Sequence, residues 1–188
     1  MAEVKVLIEG YTNADSNNDS GKEITCSTIT LVKDKNLNIV VDPGVLESQQ
    51  MLIEALKREG LSINDVNIVC ITHSHIDHYR NVGMFPNAKT LEFFGLWEGN
   101  SVSEWKENFS DDIKIIKTPG HNYDGITLLV RSKEGIIAVC GDVFWKENYP
   151  EHDLYASDNK KLEESRKKVL ELADYIVPGH AGIYKVKK

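Results

Sequence analysis

Apolar and β-branched residues gather in short runs separated by polar turns. Val4–Ile8 predicts a first strand, Ile24–Val32 a second and Asn38–Val41 a third, cut off by Asp42-Pro43-Gly44. The opening therefore predicts a β-meander, with Asn13–Gly21 as a polar loop. Leu46, Met51, Leu52, Ala55 and Leu56 make a helical apolar stripe that Gly60 stops. Asn67–Ile71 is a strand, Tyr79–Phe85 a short helix and Lys89–Phe94 a strand. Gly95–Asp112 carries little pattern and predicts irregular structure with at most one short strand. Ile113–Ile116 is a strand, and Ile126–Arg131 with Gly135–Cys140 a hairpin. Trp145–Ser157 is a loop. Asp158–Asp174 is a helix capped by Asp158, with Leu162, Ser165, Val169, Leu172 and Ala173 on one face. Tyr175–Val177 is the last strand. Helices fall between strands, which predicts a layered α/β domain with helices covering sheets.

The 188 residues suit one domain, 1–188, with a sizeable core. A net charge of −7 makes strong nonspecific binding to nucleic acid or to an anionic membrane unexpected. Cys26, Cys70 and Cys140 are odd in number and stand in apolar runs, so buried reduced thiols are expected. No run approaches the ~18 apolar residues of a membrane span. With no signal peptide at Met1–Val4 either, a soluble, cytoplasmic protein is expected. A homodimer is compatible with the sequence, which does not fix the oligomeric state.

The chemistry concentrates at His73-Ser74-His75-Ile76-Asp77-His78, directly after an apolar strand. His73 and His75 are two apart in an extended segment, so both rings face one side and can share a metal. Asp77 and His78 diverge unless the chain turns; a strand-to-helix turn would aim both at a second metal. His121 and His180 each follow Pro-Gly at a strand end, and Asp142 follows Cys140-Gly141. His121 could complete the first site and His180 the second, and Asp142 could bridge them. Imidazole and carboxylate donors suit zinc, and also iron or manganese. His152 reads as an ordinary surface histidine.

Four motifs carry a resemblance: Thr72-His73-Ser74-His75-Ile76-Asp77-His78, Thr118-Pro119-Gly120-His121, Cys140-Gly141-Asp142 and Val177-Pro178-Gly179-His180. With Val41-Asp42-Pro43-Gly44 they resemble the metallo-β-lactamase-fold hydrolase superfamily, in family order. The resemblance implies a four-layer αββα sandwich with a dinuclear metal site at one edge. It implies His73, His75 and His121 on the first metal, Asp77, His78 and His180 on the second, and Asp142 between them. Asp42 would orient a ligand from behind. His78–Asn87 and the stretch from Ser165 to His180 are similar to the metallo-β-lactamase domain-containing protein 1 group, whose members are linked to RNA cleavage. Asn122-Tyr123-Asp124-Gly125 departs from the superfamily's usual Thr or Ser followed by a Gly-Ser pair. Asp142 replaces the Cys of true β-lactamases, which argues against lactam hydrolysis.

The expected activity is hydrolysis of an ester, thioester, lactone or phosphodiester by a hydroxide activated between two divalent ions. Asp77 and Asp142 are the expected catalytic carboxylates, and the substrate a small molecule or an oligonucleotide. An RNA phosphodiesterase is the alternative. An iron-dependent oxidoreductase, such as a persulfide dioxygenase, and a non-catalytic metal-binding module follow. Tyr11, Trp97, Trp105, Trp145 and Tyr155 are the aromatic candidates for a pocket wall, against simple packing.

Overall fold

The computed structural model describes residues 1–14, 21–147 and 153–187. In chain order the first strands are β1 (Glu3–Ile8), β2 (Tyr11–Thr12), β3 (Thr25–Cys26), β4 (Ile29–Asp34) and β5 (Leu37–Val41). Helix α1 (Gln50–Arg58) leads to β6 (Ile68–Cys70), a one-turn α2 (Ile76–Tyr79), then β7 (Lys89–Glu92), β8 (Gly95–Glu98) and β9 (Ser101–Ser103). The second half holds β10 (Ile113–Lys117), β11 (Ile126–Arg131), β12 (Ile136–Val139), α3 (Asn159–Leu172), β13 (Tyr175–Val177) and β14 (Tyr184–Lys185).

These strands make a seven-stranded sheet ordered β1-β4-β5-β6-β7-β8-β9, a five-stranded sheet ordered β10-β11-β12-β13-β14 and a small two-stranded sheet of β2 and β3. The inner faces meet in one core. Val32, Ile39, Val41, Ile68, Cys70 and Leu91 from the first sheet pack on Ile113, Ile115, Ile126, Leu128, Val130, Ile137, Val139 and Val177 from the second. The outer face of the first sheet is covered by Leu52 and Leu56 of α1. The outer face of the second is covered by Val169 and Ala173, on and just after α3. The layers therefore run helix, sheet, sheet, helix, as expected for the α/β class.

Three pairings are parallel: β5 with β6, β6 with β7 and β12 with β13. A parallel pair needs a long crossover. Helix α1 spans the first, α2 with a 3-10 turn at Val82–Met84 the second, and α3 the third. This topology aims the ends of β5, β6, β12 and β13 at one rim, and each is followed by chemistry-bearing residues.

Several expectations need correction. The predicted strand Ile24–Val32 is two strands, β3 and β4. It breaks at Ser27-Thr28, where Thr28 N–H turns to the carbonyl of Gly179 at 2.6 Å and Thr28 Oγ1 accepts from Gly10 N–H. The helix expected over Tyr79–Phe85 is not formed there: the one-turn α2 ends at Tyr79, and only a 3-10 turn at Val82–Met84 follows. Lys89–Phe94 stops at Glu92, whose carboxylate takes Phe94 N–H and closes a turn into β8. Gly95–Asp112 holds a complete hairpin, β8 with β9. β14 went unread. Met51 and Leu172, assigned to apolar stripes, are 43% and 37% exposed. Arg166 instead is buried, its Nε–H donating to the carbonyl of Val143.

Candidate metal centre

The centre begins with Asp42, directly after β5. Its φ is +49°, a left-handed conformation that Asp tolerates better than most side chains. The turn sends the carboxylate inward, where it accepts three hydrogen bonds. Thr72 N–H binds Oδ1 at 2.8 Å, Thr72 Oγ1–H binds Oδ2 at 2.7 Å and His78 Nδ1–H binds Oδ2 at 2.8 Å. One carboxylate thus fixes the end of β6 and the ring of His78 together.

β6 ends at Cys70, and the chain, expected to run extended here, instead bends through Thr72–Ser74 before His75, whose ψ of 138° marks the last residue before α2. Asp77 and His78 then lie in the first turn of α2. The strand-to-helix turn that the spacing called for is present. Asp124, buried, accepts Ser74 N–H at 3.1 Å and pins the middle of the motif. The unusual Asn122–Gly125 loop therefore supports the ligand segment.

The remaining donors come from the second sheet. His121 follows β10, Asp142 follows β12 and His180 follows β13. Two glycines permit the approach. Gly141, at φ +50°, leaves no room for a Cβ beside Thr72 Oγ1, and a Cβ on Gly179 would overlap Asp142 Oδ1.

The rings have defined tautomers, because their outer partners can only accept. His78 Nδ1 faces Asp42, His121 Nδ1 faces Asp153 Oδ2 at 2.6 Å, and His180 Nδ1 faces the carbonyl of Cys26 at 3.0 Å. Each must donate through Nδ1 and turn Nε2 inward. Thr72 Oγ1 spends its proton on Asp42, so at 3.2 Å it accepts from His73 Nδ1, and His73 also turns Nε2 inward. His75 points Nδ1 in, 3.0 Å from His121 Nε2.

These atoms converge on Asp142. Its Oδ2 lies 3.3 Å from His121 Nε2, 3.2 Å from His180 Nε2 and 4.0 Å from His73 Nε2; its Oδ1 lies 3.2 Å from His78 Nε2. His73, His75, His121 and Asp142 offer ligand atoms within 4.8 Å of one another, and Asp77, His78 and His180 do the same. Asp77 Oδ2 is 3.9 Å from His78 Nε2 and 3.7 Å from His180 Nε2, and accepts from Thr25 Oγ1 at 2.9 Å.

The electrostatics fit a cation. His73 Nε2, His78 Nε2 and Asp142 Oδ1 are buried without a hydrogen-bond partner among the described residues. Burial of such atoms is costly unless something else satisfies them. Burial, with His78 close by, holds His73 well below the usual imidazole range. Burial acts the same way on His78, but Asp142 and Asp42 outweigh it and hold that ring well above the range. Burial would raise Asp142, yet His180, His78 and His121 keep it well below the carboxylate range. Five imidazoles around two acids in a largely buried site form a donor set that suits a divalent metal.

A cavity of about 300 Å³ opens onto this rim. His75, Asp77, His121, Asp142 and His180 form its floor; Thr12, Ala14, Glu23, Thr25, Ile76, Trp145 and Tyr155 form its walls. Of the aromatic candidates, Trp145 and Tyr155 are in the wall, stacked at 5.9 Å between ring centres. Trp97 instead donates to the Glu92 carboxylate across the β7–β8 turn, Trp105, just after β9, donates to the Glu92 carbonyl, and Tyr11 stands outside the cavity lining. His152 lies outside the described residues. Sequence reasoning missed Thr25, the Cys26 carbonyl and Asp153, which carry no motif. Asp153 sits in a loop of aromatic and acidic residues where nothing sets it apart from its neighbours.

A model of the metallo-β-lactamase superfamily matches residues 27–92. The chain is 29% identical to metallo-β-lactamase domain-containing protein 1 of Xenopus laevis, over 98% of this chain and 82% of that protein. It is 31% identical to a probable metallo-hydrolase of Methanocaldococcus jannaschii, over 79% of this chain and 74% of that one. The human metallo-β-lactamase domain-containing protein 1 is 32% identical over 79% of this chain, and the match spans 59% of its length. Among solved structures, a Thermotoga maritima protein of metallo-β-lactamase type superposes with a TM-score of 0.75 at 24% identity, covering 98% of this chain and 99% of that one. AidC, a dizinc quorum-quenching lactonase in complex with a product, superposes at 0.66 with 19% identity, covering 87% and 76%.

Proposed function

The chain belongs to the metallo-β-lactamase superfamily of metal-dependent hydrolases, and from that premise we propose that it hydrolyses a small carbonyl substrate, an ester, thioester or lactone. One observation carries the choice of substrate. The cavity that opens on the candidate metal-binding side chains is walled by Trp145, Tyr155, Ile76, Ala14, Thr12 and Glu23, with no Lys or Arg among the described residues lining it. The neighbouring segments 15–20 and 148–152 contain no Lys or Arg in sequence either. A polyanion would find no side-chain cation on entering. An uncharged acyl group would find the Trp145–Tyr155 stack and Ile76. The alternative, cleavage of RNA, asks for phosphate contacts that this wall does not offer. The likeness in fold to a lactonase supports the same reading.

In this reading His73, His75 and His121 hold one ion, Asp77, His78 and His180 hold another, and Asp142 lies between them. Zinc is the proposed metal, since imidazole and carboxylate donors favour it, with iron and manganese as lesser fits. Bound there, the ions supply Lewis acidity and lower the proton affinity of water. The protein's own contribution is placement. Asp42, Thr72 and the Cys26 carbonyl fix ring orientation. Asp77, held by Thr25 and partly open to the cavity, can orient the attacking water. The aromatic wall lays the acyl chain across the floor. Seven donors in two groups exceed what a single-iron oxidoreductase uses, which disfavours that class.

The test is metal analysis by mass spectrometry followed by a panel of lactones, esters, thioesters and RNA oligonucleotides on the same preparation. Two ions per chain, with turnover of a carbonyl substrate that stops on chelation and in His75→Ala, is expected. Cleavage of RNA with no carbonyl turnover would overturn the substrate assignment. Fewer than two ions under saturating Zn²⁺ would overturn the dinuclear centre.

A further inference from the structure

His121 is held differently from the other rings. Its outer partner is Asp153, a carboxylate whose side chain is wholly buried and lies 2.6 Å from Nδ1. The other carboxylate oxygen of Asp153 accepts the backbone N–H of Tyr155 at 2.8 Å, so the acid is clamped within its own turn. The backbone N–H of Ser157 returns to the carbonyl of His121 at 3.0 Å. Tyr155 stacks on Trp145, and Trp145 stands edge-on to His121 at 6.0 Å. A short segment, 153–157, therefore grips His121 by ring and by backbone. A buried carboxylate on the outer nitrogen has a definite consequence. It obliges Nδ1 to carry the proton, frees the Nε2 lone pair toward Asp142 and His75, and stops the ring from flipping.

We propose that Asp153 is the positioning residue of the His73–His75–His121 site, setting the tautomer and aim of His121 as Asp42 does for His78. Each site then has one carboxylate-braced imidazole, one anchored after β5 and the other in the loop ahead of α3. This rests on the metal-centre reading above, and it adds a residue that no motif marks.

The test uses the full chain with Asp153→Ala, which removes the acceptor, and Asp153→Asn, which keeps an oxygen of the same size. Zn²⁺ affinity is read by competition with a chromophoric chelator. Histidine tautomers are read by NMR with ¹⁵N-labelled histidine. In Asp153→Ala one of the two ions should bind about 10- to 100-fold more weakly while the other is unchanged. Asp153→Asn should fall between that variant and wild type, and the Nδ1–H signature of His121 should be lost in Asp153→Ala. Should Asp153→Ala fail to fold, the isosteric Asn variant decides. Wild-type affinity for both ions in the variants would overturn the proposal and leave the metal centre standing. Equal weakening of both ions together with a lowered melting temperature would also overturn it, as a purely structural role. Failure of the wild type to bind two ions would overturn the underlying reading, and this proposal with it.

Discussion

Asp42 shows how much one residue can organise. It occupies a backbone conformation that most side chains resist, and its two oxygens accept three buried donors. Asp42→Ala would leave Thr72 N–H, Thr72 Oγ1–H and His78 Nδ1–H without their acceptor. An unsatisfied buried donor costs about 1–3 kcal/mol. Asp42→Ala is therefore expected to destabilise the metal-free protein by more than about 2 kcal/mol, read by urea denaturation. Asp42→Asn, which keeps one accepting oxygen and tolerates the same φ, should lose less. Equal losses would show that hydrogen bonding is not what Asp42 provides. The cysteines make a second residue-scale case. All three are free and buried, and burial pushes the thiols of Cys70, Cys140 and Cys26 up from the usual range. Less thiolate at pH 8, together with no access, means that native protein should react slowly with a thiol reagent. All three should react at once in denaturant. Rapid labelling of native protein would contradict their burial.

At the scale of elements, α3 offers a matched pair. Leu162 is fully buried and Leu172 is 37% exposed, although helical periodicity put both on one apolar face. Leu162→Ala should cost about 2–5 kcal/mol and Leu172→Ala under about 1 kcal/mol in chemical denaturation. Similar costs would restore the periodic reading. The reason periodicity failed here is geometric. The helix meets the second sheet through Leu162, Ser165, Arg166 and Val169, with Ala173 continuing the same stripe, and Leu172 lies about 60° round the helix from Val169, on its flank. Strands were legible where apolar runs were long and both faces were buried, as in β4, β5 and β11. They were not legible in β8 and β9, whose exposed Trp97, Val102 and serines bury little and are held mainly by cross-strand pairing. The motifs of the candidate site were legible because each stands at a strand end and contributes nothing to a core. Asp153 and Thr25 were not. Their roles come from contacts made across the fold, at sequence distances of 32 and 52 residues.

For the whole molecule, the decisive fact is that the candidate donors come from both sheets. His73, His75, Asp77 and His78 follow β6 of the first sheet; His121, Asp142 and His180 follow β10, β12 and β13 of the second. Between the sheets lies a continuous apolar core, so the layers are already held together without metal. Ions at the rim would join them a second time, at the edge where the core ends. That arrangement predicts a folded apoprotein whose rim closes on metal. A ligand bound only by the native state stabilises it by about 2.7 kcal/mol at a hundredfold excess over Kd. Chelation should accordingly lower the melting temperature by several degrees while leaving the far-ultraviolet circular dichroism of the strands and helices intact. Readdition of Zn²⁺ should restore it in a concentration-dependent way. His180→Ala removes a donor from the second sheet only, and should abolish a large part of that metal-dependent gain while changing the apoprotein little. If chelation unfolded the protein outright, the inter-sheet core would not be the main source of stability. If chelation changed nothing, the rim would not be tied by metal at all.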